Sequence, residues 1–288
     1  MTKLTLPGLI FLTLLNSCIP ERRAYFLAPQ NAAANSYHSI PMKSDSLRST
    51  IYVNGVFRNG SSNDRQSDHV WSLEGSMHRS HNFDMFQAYY GANLTLGSYN
   101  ISDYYRSTYQ YGGGYFGTYY PVDTPYHIPA SNKFFGAYGV FGGINLVFSH
   151  VHEKYHRHSE WRALGLETSL QNEFGDYNRF RKNLSDTGAN INFRNSFSAY
   201  LGLYTEWVWT TRNKTEAGVK LTWGLCINPE NNYYKYLESP ITPLLNFSVS
   251  YHITKNHYTG FVQINLGTYA DNIQFGLTYR LTKKKSGR

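Results

Sequence analysis

Four histidines crowd one stretch of the chain, His150, His152, His156 and His158, with Glu153 among them. Residues two apart on a strand share a face. A hairpin with one such pair on each arm could chelate Zn²⁺ or Cu²⁺ through imidazole nitrogens. The same residues suit a solvated turn whose rings act as interfacial aromatics, and no cysteine or tight carboxylate set completes a site. Ser250 and His252 form a second pair, with the composition of a hydroxyl nucleophile and its base. Neighbours on one strand face lie roughly 7 Å apart, beyond direct hydrogen-bond reach, and no catalytic residue is assigned. Glu74, Glu167 and Glu206 share a type of face with Lys220 and Arg280. A charge turned into a narrow interior is costly unless paired, so a lumen charge network is expected; a pair of acids with one raised pKa is the alternative. Gly112-Gly113-Gly114 lies among Tyr104, Tyr105, Tyr109, Tyr111, Tyr115, Tyr119, Tyr120 and Tyr126. It lacks the strand-to-helix setting and the following lysine of a phosphate loop, and no cofactor is expected. Those tyrosines offer rigid amphipathic contact area for a surface ligand, or pack over their own fold.

The elements that must position these residues have a period of two. From about residue 48 onward, apolar residues alternate with small or polar ones. Ile51, Val53 and Phe57 oppose Tyr52 and Asn54; Trp71, Leu73 and Met77 oppose Ser72, Glu74, Ser76 and His78. Further candidate strands cover about 86–98, 135–149, 161–172, 197–210, 216–227, 244–254, 258–268 and 272–281. Alternation alone also fits a sandwich. Two features favour a barrel in lipid: the second face is consistently small or polar, and connections alternate between short turns and long loops. The composition agrees. Tyr occurs 26 times and Phe 17 times, yet mean hydropathy is −0.48, as expected where only alternate residues meet lipid and aromatics gather at the interfaces. The fold class read from the sequence is therefore all-β: a closed antiparallel up-and-down transmembrane β-barrel over 48–282, of about ten strands, with eight or twelve as alternatives.

Residues 1–17 read as a signal peptide: Lys3 precedes an apolar run from Leu4 to Leu15 that is too short to span a membrane as a helix. Leu15-Asn16-Ser17-Cys18 resembles the lipobox of bacterial lipoproteins, which implies cleavage before Cys18 and its acylation. The other cysteine, Cys226, falls mid-strand and reads as an inert small residue of the lumen. Residues 18–47 are polar and without sustained period, and read as a lipidated N-terminus and periplasmic tether. The formal charge is +8, or +7 once Lys3 is removed with the signal. The charge is dispersed except in a basic tail over 283–288, taken as periplasmic and solvated, and no nucleic-acid partner is expected.

Gln274-Phe275-Gly276-Leu277-Thr278-Tyr279-Arg280-Leu281 looks like the C-terminal signal read by the barrel-assembly machinery, with Gln274, Gly276, Tyr279 and Leu281 at the characteristic positions. Cys18, the Pro- and Asn-containing segment after it and the Tyr-rich strands together resemble the uncharacterised outer-membrane barrel lipoproteins of Bacteroidota. That resemblance implies an outer-membrane location and partners in outer-membrane lipid and the assembly machinery. It brings no functional residue with it. With the N-terminus taken as periplasmic, all the longest loops fall outside the cell. A barrel near eight strands is filled by its own side chains. The expected role is accordingly non-enzymatic: surface binding, adhesion or envelope integrity. A narrow solute channel or transport accessory is the alternative, and an enzyme acting on membrane lipid or peptide is a further one.

Overall fold

The computed structural model describes residues 24–29, 35–45, 47–62, 68–112, 118–152, 157–185, 190–211, 215–227, 244–267 and 270–281. Ten strands close one antiparallel barrel: β2 Ser49–Ser62, β3 Asp68–Asn82, β4 Phe86–Ile101, β7 Ser131–His152, β8 Arg157–Phe174, β10 Phe197–Thr210, β11 Glu216–Ile227, β12 Leu244–Lys255, β13 Tyr258–Gly267 and β14 Ala270–Arg280. The final strand β14 pairs with β2, from Ala270 opposite Ser62 to Arg280 opposite Tyr52, and so leaves no free edge. Outside the ring lie β1 Ala24–Phe26, the hairpin β5 Tyr104–Gly112 and β6 Thr118–Ile128, helix α1 Asp176–Asn183, and β9 Asn190–Asn192, which pairs in parallel with β1. The ten-stranded reading holds. The stretch between β4 and β7 is built further than expected, because its two Tyr-rich arms pair with each other as a hairpin.

Alternation along each strand now has a physical meaning. In β2, Tyr52, Asn54 and Val56 are buried while Ile51, Val53 and Phe57 are exposed; β10 buries Tyr200, Tyr204, Glu206 and Val208 and exposes Leu201, Leu203, Trp207 and Trp209. This is the reverse of a soluble core, with large apolar side chains outside and polar ones inside. Aromatics border the apolar outside in two belts. Phe148, Trp161, Trp207, Tyr251, Tyr258 and Tyr279 lie toward one end, and Trp71, Phe134, Tyr138, Phe174, Phe197 and Trp223 toward the other. Phe197 and Trp207 are both on β10, and that separation is roughly 34 Å of strand. At a tilt of about 40–45° it matches an apolar band about 25 Å tall. An exterior of this kind is stable only against hydrocarbon, and the fold is that of a transmembrane barrel.

One end carries the connections 83–85, 153–156, 211–215 and 256–257, and the other carries 63–67, 102–130, 175–196, 228–243 and 268–269. These are called below the short-turn end and the long-loop end. The segment expected to tether the lipidated cysteine to the barrel runs, in its described part, through the interior of the ring. Residues 36–42 are buried inside the ring, with Asn35 half-buried above them. They descend from β1 at the long-loop end to Lys43–Asp45, a 3-10 turn at the short-turn end beside Asp84 and Arg280. The reason lies in the wall. Its inward donors need acceptors once shielded from water, and an extended backbone supplies a row of carbonyls.

Candidate functional site

The site is the lumen and the segment that fills it. Gln263 donates to the carbonyl of Asn35 (2.9 Å), Asn54 to that of Tyr37 (3.4 Å), Arg162 to that of Ile40 (2.9 Å) and Gln87 to that of Pro41 (3.1 Å). His78 Nε2 lies 2.9 Å from the Ser39 carbonyl, and Arg58 donates to the Ser36 hydroxyl at 2.7 Å. These donors come from β2, β3, β4, β8 and β13, so the segment is held from most of the circumference. Apolar contacts fill the gaps between them. Tyr37 packs on Val56 and Phe261 and stacks on His252 at 4.4 Å, while Ile40 packs on Tyr89 and Phe141. Pro41 suits the position, having no N–H to leave unsatisfied. A cavity of about 30 Å³ beside Leu27, Pro29, Arg58 and Tyr99 has room for a water or two and not for a solute path.

Every charge expected in the lumen points inward and is buried: Glu74, Glu167, Glu206, Lys220 and Arg280. They do not form one cluster. Glu206 takes Arg162 Nη1 at 2.6 Å and the Tyr37 hydroxyl at 3.1 Å, and Glu160 stands 3.9 Å from the same guanidinium. Glu167 pairs with Lys220 and accepts from the Tyr89 hydroxyl at 3.2 Å; the Lys220 ammonium lies 4.1 Å from the Tyr204 ring centroid. Glu74 pairs with Arg58, and Arg280 with Asp45 at 3.3 Å.

Sequence reasoning missed Arg58, Glu160, Arg162 and Asp45. Arg58 was in phase with Tyr52 and Asn54, and its inward position was readable. Arg162 was not, because Leu164, Leu166 and Leu170 place even numbers on the lipid side of β8. The pairing register slips at Ala163: Gly165 lies opposite Tyr204 and Arg162 opposite Glu206. That bulge turns Trp161 out and Arg162 in.

The long-loop end is capped. Phe26, Tyr99, Ile101, Tyr104, Ile128, Phe135 and Tyr177 form a buried cluster in which Tyr99 stacks on Tyr177 at 4.0 Å and donates to Asp68 at 2.9 Å. Helix α1 brings Tyr177 and Arg181 there. Arg181 is fully buried, pairs with Glu173 at 3.0 Å and donates to the Phe193 carbonyl. The helix begins at Gly175, whose φ of 109° favours glycine, and a Cβ there would meet the Phe134 carbonyl at 2.9 Å. Gly175 at the start, Asp176 in the first turn and Arg181-Lys182 in the last were the signal for this helix that went unread.

The remaining candidates are placed as follows. His150 sits opposite Ser159 and His158 opposite Val151, so the two project from opposite faces and cannot share an ion. The side chains of His152 and His156 lie outside the described residues. Among the described residues no group of three or more His, Cys, Asp or Glu could hold a metal. The Ser250 hydroxyl donates to Gln263 at 3.0 Å rather than to His252, which stacks beneath Tyr37. Cys226 is buried beside Leu27, Phe193 and Tyr200. Of the Tyr-rich stretch, Tyr104 is part of the cap; the side chains of Tyr105 to Tyr126 lie outside the described residues, as do Cys18 and the tail over 283–288. In β14, Gln274 points inward and Tyr279 outward, with Leu281 exposed just beyond the strand. Gly276 receives the Phe261 ring so closely that a Cβ would stand 2.1 Å from it.

Neither a protein-family model nor a curated protein matches the sequence. Among solved structures, the barrel is similar to the transport unit of the autotransporter AIDA-I from Escherichia coli, at 9% identity over 88% of this chain and 96% of that one, with a TM-score of 0.43. It is similar also to the β domain of the Bordetella autotransporter BrkA, at 8% identity over 82% of this chain and 100% of that one, TM-score 0.38. A third similar structure is an outer membrane channel from Pseudomonas putida F1, at 8% identity over 86% and 99%, TM-score 0.34. At such identities the likeness concerns the fold alone.

Proposed function

We propose that the protein is a closed outer-membrane barrel whose own N-terminal segment stoppers it, and that it acts without chemistry of its own as a surface-binding or envelope-stabilising platform. The observation that carries this reading is the occupied lumen: residues 35–42 are hydrogen-bonded to six strands of the wall, and Glu74, Glu167, Glu206, Lys220 and Arg280 each have a charged partner. A path for solutes would require those bonds to be exchanged for water. By default the short turns of such a barrel face the periplasm and the long loops the outside. That orientation presents the capped end and the Tyr-rich hairpin to the surroundings as contact area for a surface ligand.

Cys18 as the acylated residue, recognition of β14 by the assembly machinery and solvation of the basic tail belong to the same proposal. Purified full-length protein in a planar bilayer is expected to give a flat current trace. Reproducible steps from the full chain would refute the stoppered barrel in favour of a narrow channel.

A further inference from the structure

The direction in which the N-terminal segment runs has a topological consequence. Counting backward from β2, the chain starts at the short-turn end. It forms the turn Lys43–Asp45 against Glu160, Asp84 and Arg280, climbs through the lumen past Ile40, Tyr37 and Asn35, and arrives as Leu27 and Phe26 among Tyr99, Ile101, Tyr177 and Phe193. There it is fixed by backbone: Ala24, Tyr25 and Phe26 lie opposite Asn190, Ile191 and Asn192, and Phe193 N–H donates to the Phe26 carbonyl at 3.1 Å.

We infer that everything before Ala24 leaves the barrel at the long-loop end, so that Cys18 and any lipid it carries face the outer leaflet and cell surface, not the periplasm. Reach decides the point. The six residue steps from Cys18 to Ala24 extend at most about 22 Å, whereas the apolar band between the two belts is about 25 Å tall. The lumen, the one polar way back, is already filled by the chain itself. A lipid on Cys18 therefore inserts beside the mouth, in the leaflet opposite to that expected of a tethered lipoprotein. The barrel serves as the conduit by which its own N-terminus is displayed.

This inference rests on the orientation stated under the proposed function, and the test separates the two. A short epitope is inserted in separate chains after Pro20, after Asn231 and after Ser286, each chain is checked for heat-modifiable migration, and antibody binding is read on intact and on permeabilised cells. The tags after Pro20 and Asn231 are expected to bind on intact cells, and that after Ser286 only once cells are opened. Binding at Asn231 but not at Pro20 on intact cells overturns the inference and leaves the orientation standing. A tag at Asn231 that is hidden until permeabilisation overturns both. For a tagged chain that does not fold, trypsin applied to cells carrying the unmodified protein gives the answer through Arg22-Arg23. A new N-terminus at Ala24 from intact cells supports surface display, and cleavage there only after lysis refutes it.

Discussion

Arg162 concentrates the logic of the interior in one side chain. It is almost wholly buried, and it meets Glu206, Glu160 and the Ile40 carbonyl together. Removing one member of a buried pair leaves an uncompensated charge, which costs about 3–5 kcal/mol, whereas replacing both with apolar groups of similar size is often neutral. Arg162→Ala is accordingly expected to destabilise the folded barrel by that order, seen as a lower urea midpoint for the loss of heat-modifiable migration in detergent. The double change Arg162→Met with Glu206→Met is expected to recover most of the loss. A single variant as stable as the parent would show that the pair is inert. The sequence made half of this visible. Glu206 lies between outward Thr205 and Trp207 in clean alternation, but Arg162 is hidden behind the slip at Ala163. No rule of period two reports a bulge, so the partner of a legible acid stayed illegible. Asp45 escaped for another reason: its partner Arg280 is 235 positions away, and nothing local links them.

At the scale of elements, the strands were legible because each satisfies two solvents at once, and that demand writes itself into every second residue. Leu203 lies near the middle of β10, exposed, between the aromatics Phe197 and Trp207 that mark its two borders. Leu203→Arg is expected to cost about 2–4 kcal/mol and Ile51→Arg, on the outward face two residues beyond the level of Tyr279 at the short-turn end, about 0–1, following the depth dependence of charge on a lipid face. Urea unfolding in liposomes measures both. Equal penalties would mean that the exterior is not graded by depth and does not span a bilayer. The extended segment over 35–42 was not legible by the same means. It is neither helix nor strand, it makes its bonds through backbone carbonyls that any residue type offers, and its polar composition fits a solvated tether as well as a lumen filler. Its burial is a property of the wall, where Gln87, Arg162 and Gln263 each have a donor to satisfy, and only the closed ring brings those donors to it.

For the whole molecule, ring and filler are complementary, and each explains the other's composition. A ten-stranded wall encloses more space than its small inward residues occupy: Ser72, Ser76, Ser80, Ser248 and Ser250 are all inward and buried. The extended chain takes up the difference. A chain in which residues 24–47 are deleted, so that Arg48 and β2 follow directly on Arg23, is expected to assemble with reduced stability and to pass current that the parent does not pass. Its lumen would present Arg58, Arg162, Lys220 and Arg280 against Glu74, Glu160, Glu167 and Glu206. With charges of both signs so interspersed, the pore is expected to be narrow and to discriminate weakly between anions and cations, which reversal potentials across a salt gradient would show. Losing Asp45 leaves Arg280 without the partner it has now, and Arg280→Gln in the deleted chain is expected to restore part of the stability without closing the pore. If the deleted chain folds and yet stays silent in the bilayer, side chains of the wall alone close the lumen. The N-terminal segment would then owe its place inside the barrel to display of the residues before it and not to sealing.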